Sequence, residues 1–249
     1  MKTAILIPAR MGSSRLPGKP LIQLCGKTMI QRVYDECVKS GLDTYVLTDS
    51  ENIAALFEKN AVLMSEKDYA NGTERCSYAI RHKMFDQYDQ FINCQGDMPD
   101  ISQDMIVSTL QQLHHYSVAT MYTNMKRDLQ NDPNCVKMIV DSGNRQRALW
   151  FGRGMKYGKH HLGIYGYHRK ALEEYPKLKV PKEETIEGLE QLRWLKAGYN
   201  IGCMHTEFDG VEINTLHDAI EWRRKHGESN DAAQSSAAMH NYLRGDLPN

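Results

Sequence analysis

Apolar positions along the chain fall into two alternating rhythms. Short branched or aromatic runs at residues 4–7, 43–48, 61–64, 91–94, 118–122, 135–140, 147–151, 162–167 and 201–205 read as strands. Between them, spacings of three and four predict amphipathic helices. Residues 28–40 form the first, with Thr28 as N-cap, Met29, Ile30, Val33, Tyr34 and Cys37 facing inward, and Gly41 as its stop. A second helix ends near Lys59, and a third opens at Asn71-Gly72-Thr73-Glu74-Arg75 with threonine as cap and runs to about Met84. Residues 101–114 and 216–226 are helical, as is 184–197, where Ile186, Leu189, Leu192 and Leu195 share one face. Strand–helix alternation predicts an α/β protein with a mostly parallel, doubly wound sheet. The pair 135–140 and 147–151, turning at Asp141-Ser142-Gly143-Asn144, is an antiparallel excursion from it.

Composition narrows the class. The 249 residues suffice for one large domain, read as 1–227, and the polar composition from 228 onward marks a C-terminal tail with a short helix over 232–244. Lysine plus arginine equals aspartate plus glutamate, giving a formal net charge of zero, which argues against nucleic acid as a partner. No apolar run is long enough for a membrane span, so no membrane partner is expected. Six scattered cysteines without a C-x-x-C pair argue against a disulfide framework or zinc and for a reducing, cytoplasmic setting. The doublets His114-His115 and His160-His161 lack metal spacing with other ligand types.

The candidate chemistry gathers behind two strands. The first is followed by a loop carrying Arg10, Arg15 and Lys19 among Gly12, Ser13, Ser14 and Gly18. Cations and free backbone N–H groups at a strand's carboxyl end suit a polyphosphate. It is not a Walker loop: Gly12 and Gly18 enclose five residues, Pro20 follows Lys19, and Pro17 and Pro20 stop the loop running into a helix. The helix opening at Asn71–Arg75 offers a second anion site through its N-terminus and Arg75, if it is more than an ordinary capped start. Gln95-Gly96-Asp97, after the strand 91–94, places a carboxylate where it can hold Mg²⁺ against phosphate oxygens.

With these segments placed, the sequence resembles the 3-deoxy-manno-octulosonate cytidylyltransferase family over about residues 2–226. The pieces that carry the resemblance are IPARMGSSRLPGKPL, NGTER, NCQGDMP, NCVKMIV, ALWFGR, HLGIYGY and LEQLR, in that order. HLGIYGY and LEQLR point to this branch rather than to sialic acid enzymes. The resemblance implies a three-layer fold of the nucleotide-diphospho-sugar transferase type and a homodimer, with 135–168 as the contact surface. It also implies transfer of CMP from CTP to the anomeric hydroxyl of an acidic 3-deoxy sugar. Arg10, Ser13 and Lys19 would hold the CTP phosphates, supported by Arg15, with Asn71, Gly72 and Arg75 beside the nucleotide. Asn71 stands where the family usually has serine. Asp97 would bind the catalytic magnesium and Gln95 the sugar. Arg153, His161, Tyr165, Glu190 and Gln191 would grip the sugar acid; Gly152 replaces the usual serine before that arginine.

One departure bears on the metal. The family's G-V-D-T-P-E-D, whose first aspartate completes the metal site, is here Gly210-Val211-Glu212-Ile213-Asn214-Thr215-Leu216-His217-Asp218. Aligning on the threonine puts Asn214 at the metal position; aligning on Gly210-Val211 puts Glu212 there. An asparagine carbonyl ligates magnesium without a formal charge and so holds it more weakly. Two alternatives to an octulosonate enzyme follow: a cytidylyltransferase for an 8-amino-octulosonic or nonulosonic acid, or a non-catalytic nucleotide-sugar binder.

Overall fold

A computed structural model describes residues 1–13, 16–65, 69–141, 143 and 146–227. Arg15, part of the turn at 141–144 and the tail from 228 lie outside the described residues. Strand β1 is Thr3–Ala9, β2 Gln23–Leu24 and β3 Lys27–Thr28, followed by helix α1, Met29–Val38. Then come β4 Asp43–Thr48, α2 Glu51–Ala54, β5 Val62–Met64, α3 Gly72–Ala79, β6 Gln90–Cys94, α4 Gln103–Gln112 and β7 Val118–Thr123. The second half holds β8 Lys137–Val140, β9 Arg147–Gly152, β10 Lys159–His168, α5 Arg169–Glu174, α6 Lys182–Glu187, α7 Gln191–Lys196, β11 Ile201–His205 and α8 Leu216–Lys225.

Among the described residues the main sheet has the order β5-β4-β1-β6-β10-β7-β11-β9-β8. Its first four strands run parallel, so β1 and β6 end side by side. Buried on both faces, β1 reads as the unbroken apolar run Ala4–Ile7 and β6 as an apolar run interrupted by the buried Asn93. Ala4, Leu6, Leu47 and Phe91 pack into one core, Ile5, Ile7, Val46 and Ile92 into another, as the alternation of a strand requires. Thr28 caps α1 as expected, and the structure adds a capping box with Gln31.

The α/β expectation is met, but the second half of the sheet departs from a mostly parallel doubly wound arrangement. β10 is antiparallel to both β6 and β7, and the β8–β9 hairpin pairs with β10 at one edge and β11 at the other. The circuit β10-β7-β11-β9-β8 therefore closes on itself as a small barrel rather than lying over the sheet as an excursion.

Three helices are also corrected. The second is brief, Glu51–Ala54. α3 stops at Ala79 and is capped by Asn71, whose side chain accepts from the Glu74 N–H at 2.8 Å, not by threonine. The single helix expected over 184–197 is two, separated at Gly188, which takes a left-handed conformation (φ 63°). Leu189 and Leu192 are buried, yet Ile186 lies on the far side of the break and is 76% exposed. A left-handed glycine ends a helix because it accepts a φ that side chains resist.

Candidate active site

The parallel pairing of β1 and β6 brings their following loops together. Lys19 Nζ lies 2.7 Å from Asp97 Oδ2, and 3.4 Å from Asn214 Oδ1. The ammonium of the opening loop and the acid of the mid-chain strand therefore face one another in direct contact. Asn214 reaches them because the chain after β11 returns to this edge, where the Ile213 N–H donates to the Asp97 carbonyl at 2.9 Å.

Two clefts meet at this pair. One, of about 290 Å³, is lined by Arg10, Ser13, Lys19, Gly72, Arg75 and Asp97. The other, of about 580 Å³, takes Arg153, His161, Tyr165, Glu190, Gln191 and Glu212. Arg10, Asn71, Gly72, Gln95 and Asp97 border both. The described residues assigned to the nucleotide, the sugar or the metal thus all line one or other cleft.

In the first cleft Arg10 donates to the Tyr69 carbonyl at 3.4 Å, and Ser13 Oγ accepts from the Leu16 N–H at 3.3 Å. Arg75 is buried; its guanidinium bonds Asp49 at 2.8 Å and Ser65 at 3.2 Å, tying α3 to the end of β4. The α3 N-terminus already faces an anion. Glu190 Oε2 accepts from the Thr73 N–H at 2.9 Å, supplying the negative charge that a helix start favours.

In the second cleft Glu190 also accepts from Gln95 Nε2 at 3.2 Å, joining its two walls. The break at Gly188 makes this possible: α6 turns off and α7 starts with Glu190 at its head. Arg153 is seated on the same break, donating from its backbone N–H to Glu187 Oε2 (2.8 Å) and from Nε to the Glu187 carbonyl (3.0 Å). Burial, His160 and Arg153 push His161 down to about 3, so its ring is neutral. Gln191 is buried, with its Nε2 unpaired among the described residues.

Glu212 lies in this cleft rather than on the Lys19–Asp97 pair. Its Oε1 accepts from the Gly163 N–H at 3.1 Å, and burial followed by the nearby Asp97 charge raises it to about 7. Lys19 shows where a cation sits here: one ammonium is shared by the Asp97 carboxylate and the Asn214 carbonyl oxygen. Two protein oxygens converging on one positive charge suit Mg²⁺, which completes its shell with water and phosphate.

Sequence reasoning missed the frame behind these residues. The buried pair Glu184–Arg193 holds α6 to α7, with Arg193 Nε donating at 2.8 Å, and Asn71 Nδ2 donates to the Tyr175 hydroxyl at 3.0 Å. Glu184 and Arg193 are nine apart, a spacing without meaning in one helix and visible only once Gly188 folds the segment back.

The sequence pattern of the cytidylyltransferases (described as "Cytidylyltransferase") matches residues 4–201. An 8-amino-3,8-dideoxy-manno-octulosonate cytidylyltransferase of Shewanella halifaxensis is 40% identical, covering 88% of this chain and 96% of its own. The chain belongs to the 3-deoxy-manno-octulosonate cytidylyltransferase family. A solved CMP:2-keto-3-deoxy-manno-octonic acid synthetase complexed with CTP superimposes on this cytidylyltransferase with a TM-score of 0.81 at 33% identity, covering 91% and 98% of the two chains. A putative glucose-1-phosphate thymidylyltransferase from Bacillus anthracis shares the fold alone, with a TM-score of 0.67 at 14% identity. Among the described residues of the cytidylyltransferase no helix is long and apolar enough to cross a membrane.

Proposed function

We propose that the enzyme transfers CMP from CTP to the anomeric hydroxyl of 3-deoxy-manno-octulosonate, with Mg²⁺ as its metal. The observation that carries this reading is the Lys19–Asp97 pair at the seam between two clefts. One cleft is lined by cations for a triphosphate; the other offers Arg153 to a sugar carboxylate, which a guanidinium matches in planar fashion. The anomeric oxygen attacks the α-phosphorus, the bond to pyrophosphate breaks, and the hydroxyl proton passes to water. Arg10 and Lys19 offset charge on the departing pyrophosphate, and the walls fix the line of attack. Asp97 and Asn214 would hold the metal, with Glu212 as the alternative carboxylate; when bound, it neutralises phosphate charge and acidifies the attacking hydroxyl.

A second reading, the 8-amino sugar, is favoured by the name of the relative from Shewanella halifaxensis. Glu212 fits it too, since only its Oε1 has a partner among the described residues, leaving a carboxylate oxygen for an ammonium. Pyrophosphate release measured with CTP, Mg²⁺ and each octulosonate separates the two. Release with the 8-hydroxy sugar at a kcat/KM equal to or above that of the amino sugar supports the first reading. Release with the amino sugar alone supports the second, and release with neither refutes both.

A further inference from the structure

β10 is interrupted by a bulge between Leu162 and Tyr165. Gly163 sits in it, and a Cβ there would come 3.2 Å from Gln95 Cγ, so glycine allows β10 this close to the turn that follows β6. The bulge turns the carbonyls of Leu162 and Ile164 toward Thr120 of β7, a fully buried residue whose Oγ1 lies 3.4 and 2.8 Å from them. The same Oγ1 is 2.9 Å from His161 Nε2.

A hydroxyl has one hydrogen, and carbonyl oxygens only accept. The Thr120 hydrogen goes to the Ile164 carbonyl, with Leu162 as a weaker second acceptor. The threonine then meets His161 with a lone pair, so Nε2 must carry the ring hydrogen. His161 is neutral and has one N–H, which leaves Nδ1 bare. The side chain is 4% exposed, lines the second cleft, and its Nδ1 has no partner among the described residues.

We propose that Thr120 is a positioning residue that locks His161 as its Nε2–H tautomer, so that Nδ1 accepts a hydrogen bond from a hydroxyl of the sugar. The inference rests on the sugar-acid reading of this cleft and adds a direction to it. A bare ring nitrogen repels a carboxylate, so the acid group is left to Arg153, and a hydroxyl donor must face His161. Tautomer selection by the partner of the other nitrogen is how proteins fix imidazole chemistry.

Two measurements test this. Long-range ¹H–¹⁵N spectra of the labelled, substrate-free enzyme should show His161 in the Nε2–H form; an Nδ1–H pattern overturns the proposal. Thr120→Val, which keeps shape and removes the hydroxyl, should raise the KM for the sugar about tenfold. Its kcat and its KM for CTP should stay within about twofold, and Thr120→Ser should restore the sugar KM. An unchanged sugar KM in Thr120→Val, or equal losses toward both substrates, also overturns it. The spectrum needs no substrate: failure to turn over any octulosonate refutes the substrate reading, and the spectrum still decides the tautomer.

Discussion

At the scale of single residues, the site is organised by one ammonium between two oxygens of different charge. Lys19 bonds Asp97 at 2.7 Å and Asn214 at 3.4 Å, with the lysine and aspartate side chains 13% and 28% exposed, so nucleotide and metal can reach both. Asp97→Asn keeps the shape and removes the only formal negative charge of the trio. It should lower kcat by roughly 10²–10³-fold, the cost of losing one well-placed electrostatic group, while CTP binding by calorimetry stays close to the parent. Pyrophosphate release at the parent rate would take Asp97 out of the chemistry. Asn214→Asp makes the reverse change. It should lower the half-saturating Mg²⁺ concentration by roughly tenfold, because a charged oxygen replaces a neutral one. An unchanged magnesium titration would move the second ligand to Glu212.

At the scale of elements, legibility followed how local each cause is. β1, β4, β6 and β11 were readable because each is a short, largely apolar run, and α1 because Thr28 precedes the stripe Met29, Ile30, Val33 and Cys37 that Gly41 ends. Cleft-lining residues were readable wherever they belong to a family motif, as Arg153 and Gln95 do. The break at Gly188 was hidden, because a glycine within a helical stripe is tolerated and the leucines around it keep helical spacing. Yet that break supports the second cleft: Glu187 before it carries Arg153, and Glu190 after it reaches Gln95 and Thr73. Gly188→Ala meets open space but must adopt φ 63°, so strain alone acts. It should destabilise the protein by about 1 kcal/mol in denaturant unfolding. It should also raise the KM for the sugar more than that for CTP, since the nucleotide loop is untouched. Equal effects on both substrates would mean that the α6–α7 corner does not shape the sugar side in particular.

At the scale of the whole molecule, barrel closure is the feature no single segment announces. It depends on β8, near the middle of the chain, pairing with the first residues of β10. Closure buries two groups that an open edge would leave wet. Lys137 is 1% exposed, its ammonium donating to the carbonyls of Asp132, Cys135 and Arg153 at 2.6, 3.0 and 2.9 Å. His160, paired with it across the strands, is 7% exposed, and burial together with Lys126 and Lys137 pushes it down to about 4. A histidine depressed on folding takes up protons more readily in the unfolded chain, so its contribution is intact above its unfolded value of about 6.5 and is lost as pH falls toward 4. At about pH 5 that loss is about 2 kcal/mol. Other groups titrate over the same range, Glu212 in the opposite sense, so the total slope is not diagnostic. The difference between two proteins is. His160→Gln cannot be protonated, so its urea-unfolding free energy should fall by about 2 kcal/mol less than the parent's between about pH 7.5 and about pH 5. Parallel slopes would mean that His160 is solvated in solution, and with it that the β8–β10 seam stands open.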